Sequence, residues 1–86
     1  MPEISRFFGI IIKMNYDDHN PPHFHIEYGE WKAIIRITDN ALLKGNLPPR
    51  ALGLVAEWAS LHRDELMADW NLSSEMKPLL KIQPLE

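Results

Sequence analysis

One change of hydrophobic rhythm, at Pro48-Pro49, limits what this 86-residue chain can fold into. Before it, apolar residues recur at every second position; after it, they recur at about 100° per residue. The first pattern belongs to strands with one buried face, the second to an amphipathic helix. A chain that has strands first and helix second reads as α+β.

In the first half, Phe8, Ile10, Ile12, Met14 and Tyr16 alternate with Phe7, Gly9, Ile11, Lys13 and Asn15, which predicts one strand with an apolar face. Two prolines cannot sit inside a paired strand, so Asp17 to Pro22 is predicted as a turn. His23 to Tyr28 returns as a strand, with Phe24, Ile26 and Tyr28 on one face and His23, His25 and Glu27 on the other. Gly29-Glu30 turns into a strand over Trp31 to Ile37, where Trp31, Ala33, Ile35 and Ile37 share a face. Asp39-Asn40 turns again, and Ala41 to Lys44 reads as a short edge strand. The expectation is an antiparallel meander of 3–4 strands.

Proline is well placed at the start of a helix, where its missing N–H has no partner to lose. From there Leu52, Leu54, Val55, Trp58, Leu61, His62 and Leu66 fall on one half of the wheel. Glu57, Ser60, Asp64 and Gly53 fall opposite. A single long helix over about 48–70 is expected to cover the apolar sheet face. Asn71 to Glu75 reads as a further helical turn, ended by Lys77-Pro78. Leu79 to Pro84 follows as an extended tail that pairs on a sheet edge. Residues 1–86 then form one domain: strand-rich 5–45, helix, and tail 71–86.

Composition excludes several function classes. With no cysteine, disulfides, thiolate catalysis and cysteine-based zinc sites are unavailable. The apolar run Phe7 to Ile12 is too short to cross a bilayer, and no basic-then-apolar leader opens the chain, so no membrane role and a cytoplasmic location are expected. The net charge of −3 argues against broad electrostatic binding of nucleic acid, although a local basic strip is compatible with it.

Chemistry concentrates in Asp17-Asp18-His19-Asn20-Pro21-Pro22-His23-Phe24-His25, which holds three of the four histidines. Imidazole donates, accepts, carries charge near neutral pH and binds metal. Three readings compete. In the first, His23 and His25 form a pincer on one strand face and His19 or Asp18 closes it around a divalent metal, with Glu27 as support or fourth ligand. In the second, the histidines are a metal-free acid and base, and Lys13, Lys32 or Arg36 stabilises a developing anion. In the third, the acids cap the turn and the histidines are solvated or meet a protein partner. His62 and the tryptophans Trp31, Trp58 and Trp70 read as core or interface mass. Arg50, Arg63, Lys77 and Lys81 read as a solvated basic fringe.

The opening Met1-Pro2-Glu3-Ile4-Ser5-Arg6-Phe7, the aspartate–histidine stretch, Leu47-Pro48-Pro49-Arg50-Ala51-Leu52, Glu57-Trp58-Ala59 and Lys81-Ile82-Gln83-Pro84-Leu85 together resemble a short bacterial family of unknown function, numbered forty-one sixty among such domains. Thr38-Asp39-Asn40-Ala41 departs from the Thr-Gly-Glu turn common in that family. The resemblance implies one half of a two-gene module of toxin–antitoxin type, with this chain the toxin and a small antitoxin-like protein its partner. It also implies Asp18, His19, His23 and His25 as the site. Two function classes follow: a growth-inhibiting enzyme acting on RNA, or a non-catalytic module that binds protein through the same histidine face. An exposed sheet edge would serve either a homodimer or strand addition by the partner.

Overall fold

A computed structural model describes residues 2–86; Met1 of the opening motif lies outside them. The elements are β1 (Glu3–Phe7), β2 (Ile10–Lys13), β3 (His23–Tyr28), β4 (Trp31–Arg36), β5 (Leu42–Gly45), α1 (Pro49–Leu61) and α2 (Arg63–Ser74). The strands lie side by side in chain order, each antiparallel to the next. The expected α+β class holds, with five strands in place of 3–4 and two helices in place of one.

The additional strand comes from a turn that alternation conceals. Phe8 (φ 48°) and Gly9 (φ 80°) both take left-handed backbone and reverse the chain, so that Phe7 pairs with Ile10. A two-residue hairpin loop keeps both flanking residues on the same face. Phe7 and Ile10 are therefore buried, while Phe8, in phase with Ile10 by count, is 61% exposed at the tip.

Across the inner face the register sets Ser5, Ile12, Ile26 and Ala33 in one row and Phe24 beside Ile35 in the next. Trp58 of α1, fully buried, sits on this face against Phe7 and Phe24, at ring-centroid distances of 5.4 and 6.1 Å. Trp31, like Phe8 and Tyr16, is an exception to the predicted apolar faces. It lies in the end row opposite Tyr28 and remains 44% exposed.

The helix breaks at His62, whose φ of −122° leaves the helical region. Its N–H still reaches the Trp58 carbonyl and its carbonyl still accepts from Leu66, so the chain bends without losing backbone partners. Leu61, on the predicted apolar arc, lies at this bend and is exposed. Beyond it α2 buries Leu66, Asp69, Trp70 and Ser73.

The tail runs beside β1. Ile82 N–H donates to the Ile4 carbonyl at 2.8 Å, Ser5 Oγ–H to the Ile82 carbonyl at 3.0 Å, and Trp58 Nε1–H to the Gln83 carbonyl at 2.9 Å. Two members of the expected basic fringe are structural instead. Arg63 Nε–H donates to the Ile37 carbonyl at 3.0 Å, and Lys81 Nζ–H to the Glu3 carbonyl at 2.7 Å. Ile37 lies just past β4 and Glu3 stands at the irregular start of edge strand β1, and a long cationic side chain satisfies each carbonyl. The β5 edge is left open, with Leu42, Leu43 and Lys44 all exposed.

Candidate metal centre

α1 covers the inner sheet face through Trp58, and the outer face beyond His23 keeps its polar side chains at or near the surface. In register across it stand Lys13, His25, Ile34 and Lys44 in one row, and Ile11, Glu27 and Lys32 in the next. His23, opposite Arg36, begins β3 at the margin of the sheet. The Asp17 to Pro22 turn folds over this margin. Asp17 N–H donates to the Ser73 carbonyl of α2 at 3.1 Å, and Ile37 N–H to the Pro22 carbonyl at 3.0 Å. The turn is thereby fixed to a helix and a strand, and Asp18 points back onto β3.

Asp18, His23 and His25 come together, each offering a ligand atom within 4.8 Å of the other two. Asp18 Oδ2 lies 2.9 Å from His23 Nε2 and 3.4 Å from His25 Nε2. His23 is buried, its ring 5.2 Å from that of Trp70. Its Nδ1 lies 2.7 Å from the Pro21 carbonyl, which can only accept. The ring proton is thus on Nδ1, and the Nε2 lone pair faces a carboxylate oxygen. Two acceptors at 2.9 Å require a cation between them, a proton or a metal ion. A carbonyl that orients the far nitrogen is the usual support of a metal-ligating histidine.

Asn15, just past β2, takes part as well. Its Nδ2 lies 3.2 Å from His25 Nε2 and 3.5 Å from Asp18 Oδ2. The amide can donate to both, and the His25 Nε2 lone pair it then occupies is the one an ion at the cluster would take in its place. Sequence reasoning missed Asn15. Its signal was its position three residues ahead of Asp18, across the start of the turn. Burial pushes the Asp18 carboxyl up, but the His19 N–H bond, with bonds from His25 and His23 when each carries a proton on Nε2, outweighs it and holds the group down at about 2. It is ionised at any pH where histidine is a ligand.

The other sequence candidates stand apart. His19 is 93% exposed; its Nδ1 lies 3.1 Å from the other carboxylate oxygen of Asp18, and its ring is outside the converging trio. Glu27 binds Lys13 at 3.0 Å, and the Lys13 ammonium lowers its pKa. Arg36 is held by Asp39 through two bonds of 2.9 and 2.7 Å. Lys32 is exposed and makes no ion pair among the described residues. His62 lies in the bend between the helices, its Nδ1 2.6 Å from Glu65, away from the cluster.

The donor set of two imidazole nitrogens and one carboxylate oxygen is that of open mononuclear sites for zinc or iron(II). Fold and cluster define a small α+β domain with an aspartate–histidine centre at one margin of an antiparallel sheet. The chain belongs to the family described as a domain of unknown function (DUF4160), which matches residues 9–71 and so includes every residue of the cluster. No curated protein and no solved structure matches the chain. Among the described residues no helix is long and apolar enough to cross a membrane.

Proposed function

We propose that Asp18, His23 and His25 hold a single divalent metal ion, and that the chain is the toxin-like effector of a bacterial two-protein module, hydrolysing RNA in the cytoplasm. The convergence of His23 Nε2 and His25 Nε2 on one ionised carboxylate oxygen carries this reading. When bound, such an ion lowers the pKa of water and polarises a phosphoryl oxygen. The protein's own part is to keep the His23 imidazole in the ligating tautomer through the Pro21 carbonyl and to hold Asp18 and His25 beside it. His19, exposed beside Asp18, is placed to exchange protons with solvent.

The test has two readouts. Expression of the wild type should arrest growth, while a folded His23→Ala/His25→Ala variant should not. The purified wild type should carry about one equivalent of metal that the variant lacks. If metal binding is absent and growth arrest survives the substitutions, the reading fails.

The open β5 edge favours a second reading, a binding module without turnover. Exposed Leu42 and Leu43 on an unpaired strand suit strand addition by an antitoxin-like partner or a second copy. Under that reading the histidine substitutions weaken a complex and abolish no turnover.

A further inference from the structure

The geometry points to a phosphate-binding subsite for single-stranded oligonucleotide in the outer-face groove beside His25, with Lys32 and Lys44 as its cationic walls. The inference deepens the metal reading and takes its direction from it, because His25 belongs to both the cluster and the groove. The groove has a volume of about 300 Å³ and runs from Asn15 and His25 over Ile34 to Lys44 and Gly45.

Charge selects the occupant. Five cations stand on or beside the outer face, and three are neutralised: Arg6 by Glu3 at 2.7 Å, Lys13 by Glu27 at 3.0 Å and Arg36 by Asp39 at 2.7 Å. Lys32 and Lys44 make no ion pair among the described residues, and both line the groove. Glu27 also lines the cleft, across from Lys32, but its carboxylate is taken by Lys13. The two ammonium groups without an ion pair leave the cleft, in a chain of net charge −3, complementary to a locally anionic ligand. Lys44 had no assigned role in the sequence; it gains one because Gly45, with φ 78° and its Cα against the Lys32 carbonyl, brings the end of β5 up to β4.

Spacing selects a chain over a single nucleotide. Lys44 pairs with Ile34 and Ile34 with His25, so the lysine stands two strand spacings from the cluster, roughly 10 Å. One phosphate group cannot span that distance, so an anion that reaches both the cluster and the lysines carries at least two phosphates, near neighbours on one strand. Half-buried Ile34 between them gives an apolar surface for a base. Duplex is disfavoured, since its binding rests on many phosphate contacts and, among the described residues, only two cations without an ion pair stand on this face.

Fluorescence anisotropy with labelled oligouridine, in EDTA so that no metal contributes, tests the groove apart from the cluster. Saturable binding is expected, with log affinity falling against log salt at a slope of about −1.4, the value for two cations on a single strand. Lys32→Ala/Lys44→Ala should bring the slope near zero and weaken low-salt binding at least tenfold. Both side chains are exposed, so circular dichroism should show an unchanged fold. Equal binding by the double variant, or no saturable binding by the wild type at low salt, overturns the proposal. Displacement by polyglutamate as effective as by unlabelled oligouridine also overturns it, in favour of an acidic protein segment. None of these outcomes depends on whether metal binds, which metal content decides separately.

Discussion

His23 is held from two directions, by the Pro21 carbonyl on Nδ1 and by Asp18 on Nε2, and His25 by the Asn15 amide. Groups that orient a ligand without being one typically contribute 10–100-fold in metal affinity. Asp18 would be a ligand itself, so Asp18→Asn is expected to weaken zinc binding by at least that factor, as measured by competition with a chromophoric chelator. If Asp18→Asn binds zinc as tightly as wild type, the carboxylate is no part of the centre. A second carboxylate, Asp69, has a different problem. It is buried, Oδ1 accepts the Leu80 N–H at 2.9 Å, and Oδ2 has no partner. Burial raises its pKa above 3.8, opposed by the Leu80 bond and reinforced by the Glu65 charge. An acid whose folded pKa is raised binds more protons folded than unfolded, so its contribution to stability is present below 3.8 and lost as pH rises through the folded value. Asp69→Asn keeps an oxygen for Leu80 and removes the titration. The stability gap between variant and wild type should widen in urea unfolding from about pH 4 upward and then level off. A gap independent of pH would mean that Asp69 titrates normally.

At the scale of elements, β5 depends on one backbone position. A methyl group at Gly45 would stand 2.1 Å from the Lys32 carbonyl oxygen, and φ is 78° there. Neither the ladder nor the backbone can yield cheaply, so Gly45→Ala should cost about 1–3 kcal/mol and loosen β5 selectively, visible as faster amide exchange at Asn46, whose N–H donates to the same carbonyl. Uniform exchange across β4 and β5 in the variant would contradict this. The tail is the other dependent element: Ile82, 4% exposed against β1, should cost about 2–5 kcal/mol as Ile82→Ala in chemical denaturation. How legible these elements were varies with how local their cause is. β3 was readable to the residue because Pro22 and Gly29 bound it and its alternation is uninterrupted. The β1–β2 hairpin was not, since a phenylalanine at the tip preserves the apolar count across a reversal. Nor was the bend at His62, which no glycine or proline announces and which serves packing against the sheet. Asp18, His23 and His25 were legible as candidates because turn and strand spacing are local. Whether Asn15 or His19 joins them depends on how the turn docks on α2, a long-range fact.

For the whole molecule, the cluster's position makes local binding a global event. Asp18 lies in a turn whose backbone bonds reach α2 through Ser73 and the end of β4 through Ile37, while His23 and His25 belong to a central strand. Unfolding any of these separates the ligands, so an ion that binds the cluster binds the folded state alone. At a hundredfold excess over its dissociation constant, such a ligand adds about 2.7 kcal/mol. In a domain of this size each kcal/mol moves Tm by about 4–8 °C, so zinc or another divalent ion should raise Tm by roughly 10–20 °C over the EDTA-treated protein. The His23→Ala/His25→Ala variant should show no rise. A rise that persists in the variant locates the ion elsewhere. If zinc, iron(II), manganese and nickel all leave the wild-type Tm unchanged, the cation between Asp18 and His23 is a proton. The two residues are then a buried ion pair holding the turn against β3, and the outer face acts through its lysines and its open edge alone.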